Sequence, residues 1–445
     1  MKDDHVAEVS PAYLTDGHSR ENGNPVPVGY KQTEVGIVPE DWDVDSIGNL
    51  LSITTGKKNT QDRVDDGIHP FFVRSQSVER INSYSYDGEG VLTAGDGVGT
   101  GKIFHYINGK FDFHQRVYLM YNFDDRLNGY FFYIFFSNHF YDRIMSMTAK
   151  SSVDSVRREM IADMVMVVPP KIEQTAIANA LSDIDALISE LENLIAKKQS
   201  IKTATMQQLL TGRTRLPQFA LRGDGSPKGF KQSELGEIPE DWRLTELDSL
   251  VSSVEAGVSV NSVEGKDIFP SGRNVLKTSC VNNGYFDGTE VKSIIPNDLR
   301  RAKCSLVKGS IIVSRMNTPA LVGEVGYVSE SSSTTFLPDR LWQMILRDNG
   351  SVSSRWLAYL LSFPEISRRI KESATGTSGS MKNISKSEFL SLVLPLPGQK
   401  EQTAIAIILS DMDDEVQLLE QRLNKTRQIK QGMMQELLTG RARLI

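Results

Sequence analysis

The chain has 445 residues, of which 39% are hydrophobic and 24% are charged, as expected for a globular protein of two or three domains. Two cysteines are too few for a disulfide framework, no apolar run approaches the ~18 residues of a membrane span, and the first residues lack a signal-peptide core. We therefore expect a soluble, cytoplasmic protein, and its net charge of −6 argues mildly against a nucleic-acid partner.

The first part of the chain, residues 1–28, is polar and shows no hydrophobic periodicity. Such segments cannot bury enough apolar surface to offset the entropy of ordering. We predict a disordered or loosely attached tail.

A repeated motif opens each half of the remaining chain. It reads GYKQTEVGIVPEDWDV at 29–44 and GFKQSELGEIPEDWRL at 229–244. The regions that follow differ from each other until their last element, which is again similar. This order predicts one domain that was duplicated and then diversified where it meets its target, with copies at 29–168 and 229–396.

The first copy shows short strand patterns and one long helical pattern. We predict strands at 102–107 and 116–120, turns in the glycine-rich run 88–101, and a helix at about 127–147. We interpret the aromatic stripe on that helix as core packing; it consists of Phe131, Phe132, Phe135 and Phe136.

The second copy has the same mixture of elements. Strand patterns cover 310–315, 323–329 and 341–346, and one helix is predicted at 354–371. The connection between the copies, 213–228, is polar and rich in proline and glycine, as is typical of a linker.

Each copy is followed by a long helical pattern, EQTAIA through LLTG, within segments 169–212 and 397–445. Both patterns end in Thr-Gly, a helix stop signal, and both carry an apolar seam at heptad spacing. Two unrelated core helices are the alternative, but matched seams favour an intramolecular coiled coil. The predicted seam residues are Ile177, Leu181, Ile184, Ile188, Leu191, Ile195, Ile405, Leu409, Met412, Val416, Leu419 and Leu423.

Catalytic signatures are incomplete. The phosphate-loop pattern GDGVGTGK at 95–102 has Asp96 where glycine is required and Ile103 where serine or threonine is required. Asp267 with Glu290 and Lys292 resembles a metal-hydrolysis arrangement, but such triplets arise by chance in chains of this length. The sequence thus favours binding over catalysis.

Cationic, amide and hydroxyl side chains in predicted loops and strand ends suit DNA. Arginine pairs with guanine, asparagine or glutamine with adenine, and serine, threonine or lysine with phosphate. We predict a hairpin with an Asn-Gly turn at 108–109 for part of the first set. The first set is Arg74, Gln76, Lys102, Lys110, His114, Gln115, Arg116, Lys150, Ser151 and Ser152, and the second set is Arg273, Lys277, Arg315, Asn317, Thr318, Arg340, Ser378, Ser380, Lys382 and Asn383. For each of them, an ordinary solvated surface residue is the alternative.

The duplicated PEDW motif, the EQxAIA helix opening and the LLTGRxRL ending resemble the specificity subunits of type I restriction–modification enzymes over about residues 29–444. The resemblance implies an α+β fold with a pseudo-twofold internal repeat. Two mixed α/β target-recognition domains would be separated by two long helices that form an antiparallel intramolecular coiled coil.

The resemblance also implies the function and the partners. Each recognition domain would read one half of a bipartite target in double-stranded DNA, while the helices set the spacer and dock two methyltransferase subunits. Restriction subunits complete such enzymes. This chain would be non-catalytic and hold no cofactor or metal, because S-adenosylmethionine belongs to the methyltransferase partner and ATP and Mg to the restriction partner.

Two other hypotheses stay open. The same chain would serve a related system in which one fused polypeptide methylates and cuts DNA. A coiled-coil scaffold that joins two protein-binding modules, without DNA, is the alternative from another class.

Overall fold

A computed structural model of the chain gives two compact units, one of Met1–Glu192 with Gln421–Ile445 and one of Asn193–Glu420. The predicted N-terminal tail, 1–28, lies almost entirely outside the described part of the chain. The structure describes residues 26–147, 155–282, 284–348, 350–376 and 380–444.

The first unit opens with an antiparallel hairpin of Tyr30–Thr33 and Gly36–Pro39. The next strand, Asp43–Ser46, pairs antiparallel with Val165–Val168, the last strand before the first long helix. This pairing brings the two ends of the first copy, 29–168, together just before the long helix begins.

The main sheet of the first unit has six strands. Its neighbouring strands pair antiparallel, except that Phe104–Phe113 and His69–Phe72 run parallel. The spatial order is Ser52–Thr55, Val117–Tyr121, Tyr86–Ala94, Phe104–Phe113, His69–Phe72 and Glu79–Ile81. Short helical turns lie at Ile47–Leu50, Thr60–Asp62 and Arg158–Ala162.

The predicted hairpin turn at Asn108-Gly109 is wrong, since both residues lie inside the strand Phe104–Phe113. Gly109, at φ +143°, faces Gly88, at φ +149°, across the antiparallel pair with Tyr86–Ala94. Glycines on both strands let the ladder continue through a backbone conformation that other residues rarely adopt. The chain reverses instead at 95–103, so only the second part of the predicted glycine-rich turn region is a turn.

The predicted aromatic helix is confirmed as Gly129–Ser146, capped by the Asn128 side chain, which accepts from the Phe131 amide at 2.9 Å. The four phenylalanines of its stripe are at most 4% exposed. Phe136 and Phe140 stack with centroids 4.3 Å apart, and the stripe packs in the core of the first unit.

The second unit repeats the opening of the first. The hairpin of Phe230–Ser233 and Gly236–Pro239 is followed by Arg243–Glu246, which pairs antiparallel with Val393–Leu396. The internal repeat seen in the sequence therefore holds at the level of strand pairing.

Between Arg243–Glu246 and Val393–Leu396 the strands of the second unit are arranged differently from those of the first. A four-stranded sheet has the order Val251–Ala256, Leu341–Leu346, Ile311–Ser314 and Val325–Tyr327. A five-stranded sheet has the order Ser262–Glu264, Val291–Ile294, Asn274–Leu276, Ser332–Phe336 and Ser305–Leu306. Two short pairs join Val281–Asn282 to Tyr285–Phe286 and Met316–Asn317 to Lys382–Asn383. Shorter helices lie at Leu247–Leu250, Thr278–Cys280, Pro296–Asp298 and Lys386–Leu390.

The single helix predicted at 354–371 is wrong, because two helices lie there, Ser354–Ser362 and Pro364–Glu372. Phe363 between them is extended, at φ −62° and ψ 134°. Proline restricts the preceding residue to extended backbone and has no N–H to continue a helix, so the first helix ends and a second begins at Pro364.

Two long helices span Lys171–Leu210 and Gln399–Leu437. In the first unit, their segments are joined by ion pairs from Lys430 to Asp185 and from Arg427 to Glu192, both at 2.6 Å. Residue numbers fall along one helix as they rise along the other, which makes the pairing antiparallel.

The second unit shows the same antiparallel pairing between its own helix segments. Lys198 bonds to Glu415 at 2.6 Å, and Lys202 bonds to Asp413. Exposed or partly exposed ion pairs of this kind each contribute only ~0.2–1 kcal/mol, so they fix register more than stability.

The predicted seam residues are all buried or half-buried. Those at the beginning of each helix pack into the core of their own unit, as Ile177 and Leu181 do in the first and Ile405 and Leu409 in the second. The buried members are Ile177, Leu181, Leu191, Ile195, Ile405, Leu409 and Leu423.

Candidate nucleic-acid interface

The repeated motifs meet at a buried carboxylate in the first unit. Glu173, which is 0% exposed, accepts from the Trp42 indole Nε1 at 2.9 Å and from Arg443 Nε and Nη2 at 2.5 and 2.7 Å. Arg443 also forks onto Asp41 at 3.0 and 2.8 Å. These hydrogen bonds from Arg443 lower the pKa of Asp41. The opening motif, the helix start and the chain end thus form one cluster.

The second unit contains the same cluster. Glu401 accepts from Trp242 Nε1 at 3.2 Å and from Arg215 Nε and Nη2 at 2.5 and 2.7 Å, and Arg215 forks onto Asp241. Burial opposes ionisation of Asp241, but hydrogen bonds from Arg215 and Lys228 prevail and lower its pKa to about 2. The predicted linker 213–228 is thereby held against this unit, with a helical turn at Pro217–Ala220.

The glutamine of each EQ pair bonds its helix to the copy that precedes it. Gln174 accepts from the Asn128 amide at 2.8 Å and donates to the Pro169 carbonyl at 2.7 Å. Gln402 accepts in the same way from the Ser353 amide at 2.8 Å. Asn128 and Ser353 both cap helices, so the repeated motifs position the long helices against equivalent elements. Their role is structural.

Two arginines of the first predicted set pair with one carboxylate, Asp96. The sequence pattern indicated Asp96 only as the residue that breaks the phosphate-loop motif. Asp96 bonds to Arg74 Nη1 at 2.7 Å and to Arg116 Nη1. The Asp96 side chain is 16% exposed, and the two arginines are 41% and 60% exposed. Burial opposes the charge on Asp96, yet the two guanidinium groups prevail and lower its pKa.

Polar side chains flank this cluster. His114 is buried and accepts from the Arg116 amide through Nδ1 at 3.0 Å, and burial lowers its pKa. The exposed Gln115 donates to Asn59 Oδ1 at 2.6 Å. Cationic and amide groups thus lie side by side, the combination that reads guanine and adenine.

Three further residues of the first set lie on the same unit. Lys102 lies 5.2 Å from the Tyr141 ring centroid, and Lys110 lies 4.7 Å from that of Tyr84. Gln76 lies two residues after Arg74. Lys150, Ser151 and Ser152 lie outside the described residues.

Part of the second set also converges. The Arg315 amide donates to the Arg340 carbonyl at 3.1 Å, and the strand pair Met316–Asn317 with Lys382–Asn383 follows directly. Arg315 lies 5.8 Å from the Trp342 ring centroid. Among the described residues, no carboxylate forms an ion pair with Arg315, Arg340 or Lys382.

Two buried atoms in this patch lack a hydrogen-bond partner in the described protein, namely Arg315 Nε and Asn383 Oδ1. Asn317, in contrast, donates to Ser314 at 3.1 Å and accepts from the Thr318 amide at 2.9 Å. The amide nitrogen and oxygen of Asn317 thus each have a hydrogen-bond partner within the second unit. Thr318 and Ser380 are exposed, and Ser378 lies outside the described residues.

The remaining two members of the second set lie elsewhere. Arg273 donates to the Leu299 carbonyl at 3.3 Å and lies over the Phe336 ring. Lys277 is paired with Glu264 at 3.3 Å and with Glu290 at 3.8 Å. The structure therefore gives Lys277 two carboxylate partners that the sequence did not indicate.

Asp96 and Asn59 are the residues that sequence reasoning missed. Asp96 lies 22 residues from Arg74 and 20 from Arg116, and Asn59 lies 56 residues from Gln115. One feature of the sequence could have indicated Asp96. It is a single acidic residue in a glycine-rich run, and a turn formed by glycines does not need a carboxylate.

The possible hydrolytic residues have internal partners. Asp267 accepts from Asn274 at 2.7 Å, and Glu290 accepts from Ser279 at 2.7 Å. No group of three or more histidine, cysteine or acidic side chains within the described ranges has the geometry of a metal site. No helix in those ranges is long and apolar enough to cross a membrane.

The two units thus share one frame and carry different polar side chains. The chain belongs to the family of type I restriction–modification DNA specificity proteins. The family's domain, described as "Type I restriction modification DNA specificity domain", matches twice, at residues 39–203 and 239–428.

Two specificity subunits of other organisms are similar in sequence. The MjaVIII type I restriction enzyme specificity subunit of Methanocaldococcus jannaschii is 26% identical over 427 residues, covering 92% of this chain and 94% of that protein. The EcoDI specificity subunit of Escherichia coli is 29% identical over 230 residues, covering 48% and 50% of the two chains. In fold, the crystal structure of a type I restriction-modification S subunit from M. genitalium matches with a TM-score of 0.60 at 14% identity, covering 89% of this chain and 96% of that one.

Proposed function

We propose that this protein gives a type I restriction–modification complex its DNA sequence specificity, with recognition domains at 29–168 and 229–396. Each domain reads one half of a bipartite target in double-stranded DNA. The observation that carries this proposal is one structural frame, closed by the same Trp-Glu-Arg cluster in both units, that presents two different sets of cationic and amide side chains.

The chemistry of the two sets suits base readout. A guanidinium group has five N–H donors in a rigid fork, and a good bidentate contact to guanine gives ~1–3 kcal/mol of discrimination. Arg74 and Arg116 each use one side-chain nitrogen on Asp96, which leaves donors on both for DNA. In the second unit, Arg315 and Arg340 lie together with no carboxylate partner in the described protein.

We further propose that the long helices set the spacer between the half-sites and dock two methyltransferase subunits, which restriction subunits join. Apolar side chains left exposed on these helices support docking: in the second unit, Ile407 is 56% and Leu418 is 66% exposed, and in the first unit Ile429 is 48% exposed. S-adenosylmethionine would then be held by the methyltransferase partner, and ATP with Mg by the restriction partner. This chain would contribute no catalytic residue.

Single-molecule mapping of N6-methyladenine tests the proposal. Cells that express this chain with its neighbouring methyltransferase are compared with cells that lack this chain. The expected result is methylation at a split motif, two short halves around a fixed gap, only when this chain is present. A stable complex with no chain-dependent methylation would favour the scaffold hypothesis, and a neighbouring gene that both methylates and cuts would place the chain in a fused system.

A further inference from the structure

Asp96 lies at the centre of three chain segments that are distant in sequence. It begins the reversal at 95–103, and its carboxylate joins Arg74 to Arg116. The backbone just before it is fixed, because both polar groups of Gly95 are bonded: the Gly95 amide donates to the Arg116 carbonyl at 2.8 Å, and the Gly95 carbonyl accepts from the Val156 amide at 2.7 Å. The position of this carboxylate is therefore set by the main chain.

Two arginines that share one carboxylate keep a net positive charge but lose conformational freedom. Both stay partly exposed, at 41% and 60%, and each gives Asp96 one nitrogen of its guanidinium group. The buried His114 accepts from the Arg116 backbone, so the main chain that carries this arginine is fixed as well.

We propose that Asp96 is a positioning residue for DNA readout in the first unit. It holds Arg74 and Arg116 in one arrangement that suits base edges, and it cancels one of their two charges so that they bind DNA phosphates less strongly. This inference rests on the proposed function and names the residue that makes one half-site selective.

The physical reason is the contrast between phosphates and bases. Phosphate contacts are the same for every sequence and supply most non-specific affinity, whereas base contacts require a fixed donor geometry. A free pair of arginines would follow the phosphate backbone of any duplex. Arginines held by Asp96 can donate only to the base edges that lie within reach of their fixed guanidinium groups.

The test uses the complex of the full chain with its methyltransferase partner. Binding and methylation are measured on the mapped target, on duplexes with one base pair changed in either half, and on a random duplex, over a series of salt concentrations. The variants are Asp96→Asn, which removes the charge, and Asp96→Glu, which keeps the charge but displaces the arginines.

For Asp96→Asn we expect discrimination in one half-site to fall by about tenfold, binding to the random duplex to rise, and its dependence on salt to steepen by about one charge. Asp96→Glu should lose discrimination without the rise in random-duplex binding. In a background of Arg74→Ala with Arg116→Ala, Asp96→Asn should have no further effect on discrimination, because Asp96 acts through the arginines.

Asp87→Asn is the matched control. Asp87 lies in the same unit, is exposed, and forms no ion pair within the described residues. Its replacement removes the same charge without touching the arginines, so discrimination should stay at the wild-type value. The other half-site serves as an internal check of folding, since its discrimination should be unchanged in every Asp96 variant.

Three results would overturn the inference. The first is unchanged discrimination at both half-sites in Asp96→Asn. The second is a loss of discrimination in Asp87→Asn as large as that in Asp96→Asn. The third is an equal loss of discrimination at the two half-sites in Asp96→Asn. Failure of the proposed function looks different, because the wild-type complex would then show no chain-dependent target at all.

Discussion

Replacing Glu173 by glutamine would test whether the Trp-Glu-Arg cluster holds the first unit together. The substitution keeps the side-chain shape but removes the charge that accepts from Trp42 and from Arg443. It also turns one acceptor oxygen into an NH2 group that faces other donors in a site that is 0% exposed.

The expected loss of stability follows from burial. Removing one partner of a buried ion pair costs ~3–5 kcal/mol, because the other charge is left uncompensated. Arg443 keeps its fork to Asp41, and its side chain is 29% exposed, so the residual charge is partly paired and hydrated. We therefore expect a loss of ~2–4 kcal/mol in the free energy of unfolding of the first unit.

Hydrogen exchange under mild urea measures this loss unit by unit. Glu173→Gln should speed exchange in the main sheet of the first unit and leave the second unit unchanged, while Glu401→Gln should do the reverse. Glu190→Gln is the matched control, because Glu190 is exposed on the same helix and in the same unit. The reasoning is refuted if Glu173→Gln changes the stability of the first unit no more than Glu190→Gln does.

Five other substitutions test separate parts of the molecule. Arg116→Ala should lower discrimination in one half of the DNA target and Arg315→Ala in the other. Each loss should be about 5- to 150-fold, measured by methylation competition between correct and altered duplexes. If both variants changed the same half, the two-domain assignment would be wrong. Gly212→Ala should lower the stability of the second unit by at least ~1–2 kcal/mol in calorimetry, because Gly212 has φ +71° and a Cβ there would meet neighbouring atoms at 2.4 Å. Gly432→Ala, inside a helix with no atom near the added methyl group, should instead stabilise by ~0.5–1 kcal/mol in the same calorimetric comparison. The pKa of Asp241 is lowered to about 2 from 3.8, so its contribution to stability is complete above about pH 4 and is lost as the pH falls towards 2; Asp241→Asn should flatten the acid-unfolding curve in that interval.

The frame of the fold could be predicted from the sequence because it occurs twice. The opening motif, the heptad seam and the Thr-Gly stop recur in the same order, and each has a local cause. Gly212 and Gly440 both adopt φ +71° after the long helices, as a helix stop requires. For these elements the sequence pattern and the tertiary contacts agree.

Local patterns failed where distant contacts decide the conformation. Asn108-Gly109 is a strong turn signal, yet it lies within a strand because Gly88 on the neighbouring strand accommodates it. The aromatic and aliphatic pattern over 354–371 favours one helix, and a proline that is visible in the sequence divides it into two. The first error comes from tertiary context, and the second from giving periodicity more weight than Pro364.

The sequence predicted the residue types of the candidate site but not the ion pairs that these residues form. Charge alone points to Arg74, Arg116 and Lys277, yet the structure pairs the first two with Asp96 and the third with Glu264 and Glu290. Ion pairs join residues that are far apart in sequence, and no periodicity records them. Charge counts over a segment therefore overstate the cations that are available to DNA.

The arginines Arg116 and Arg315 consequently lie in different electrostatic environments. In the first, Asp96 compensates part of the charge of Arg74 and Arg116 before any ligand binds. In the second, half-buried Arg315 lies over Trp342 with a buried Nε that has no acceptor in the described protein. An uncompensated, partly buried charge lowers the stability of the free protein and gains most from an acceptor that DNA supplies. The free energy gained from such an acceptor would therefore be larger for Arg315 than for Arg116, whose charge Asp96 already compensates in part.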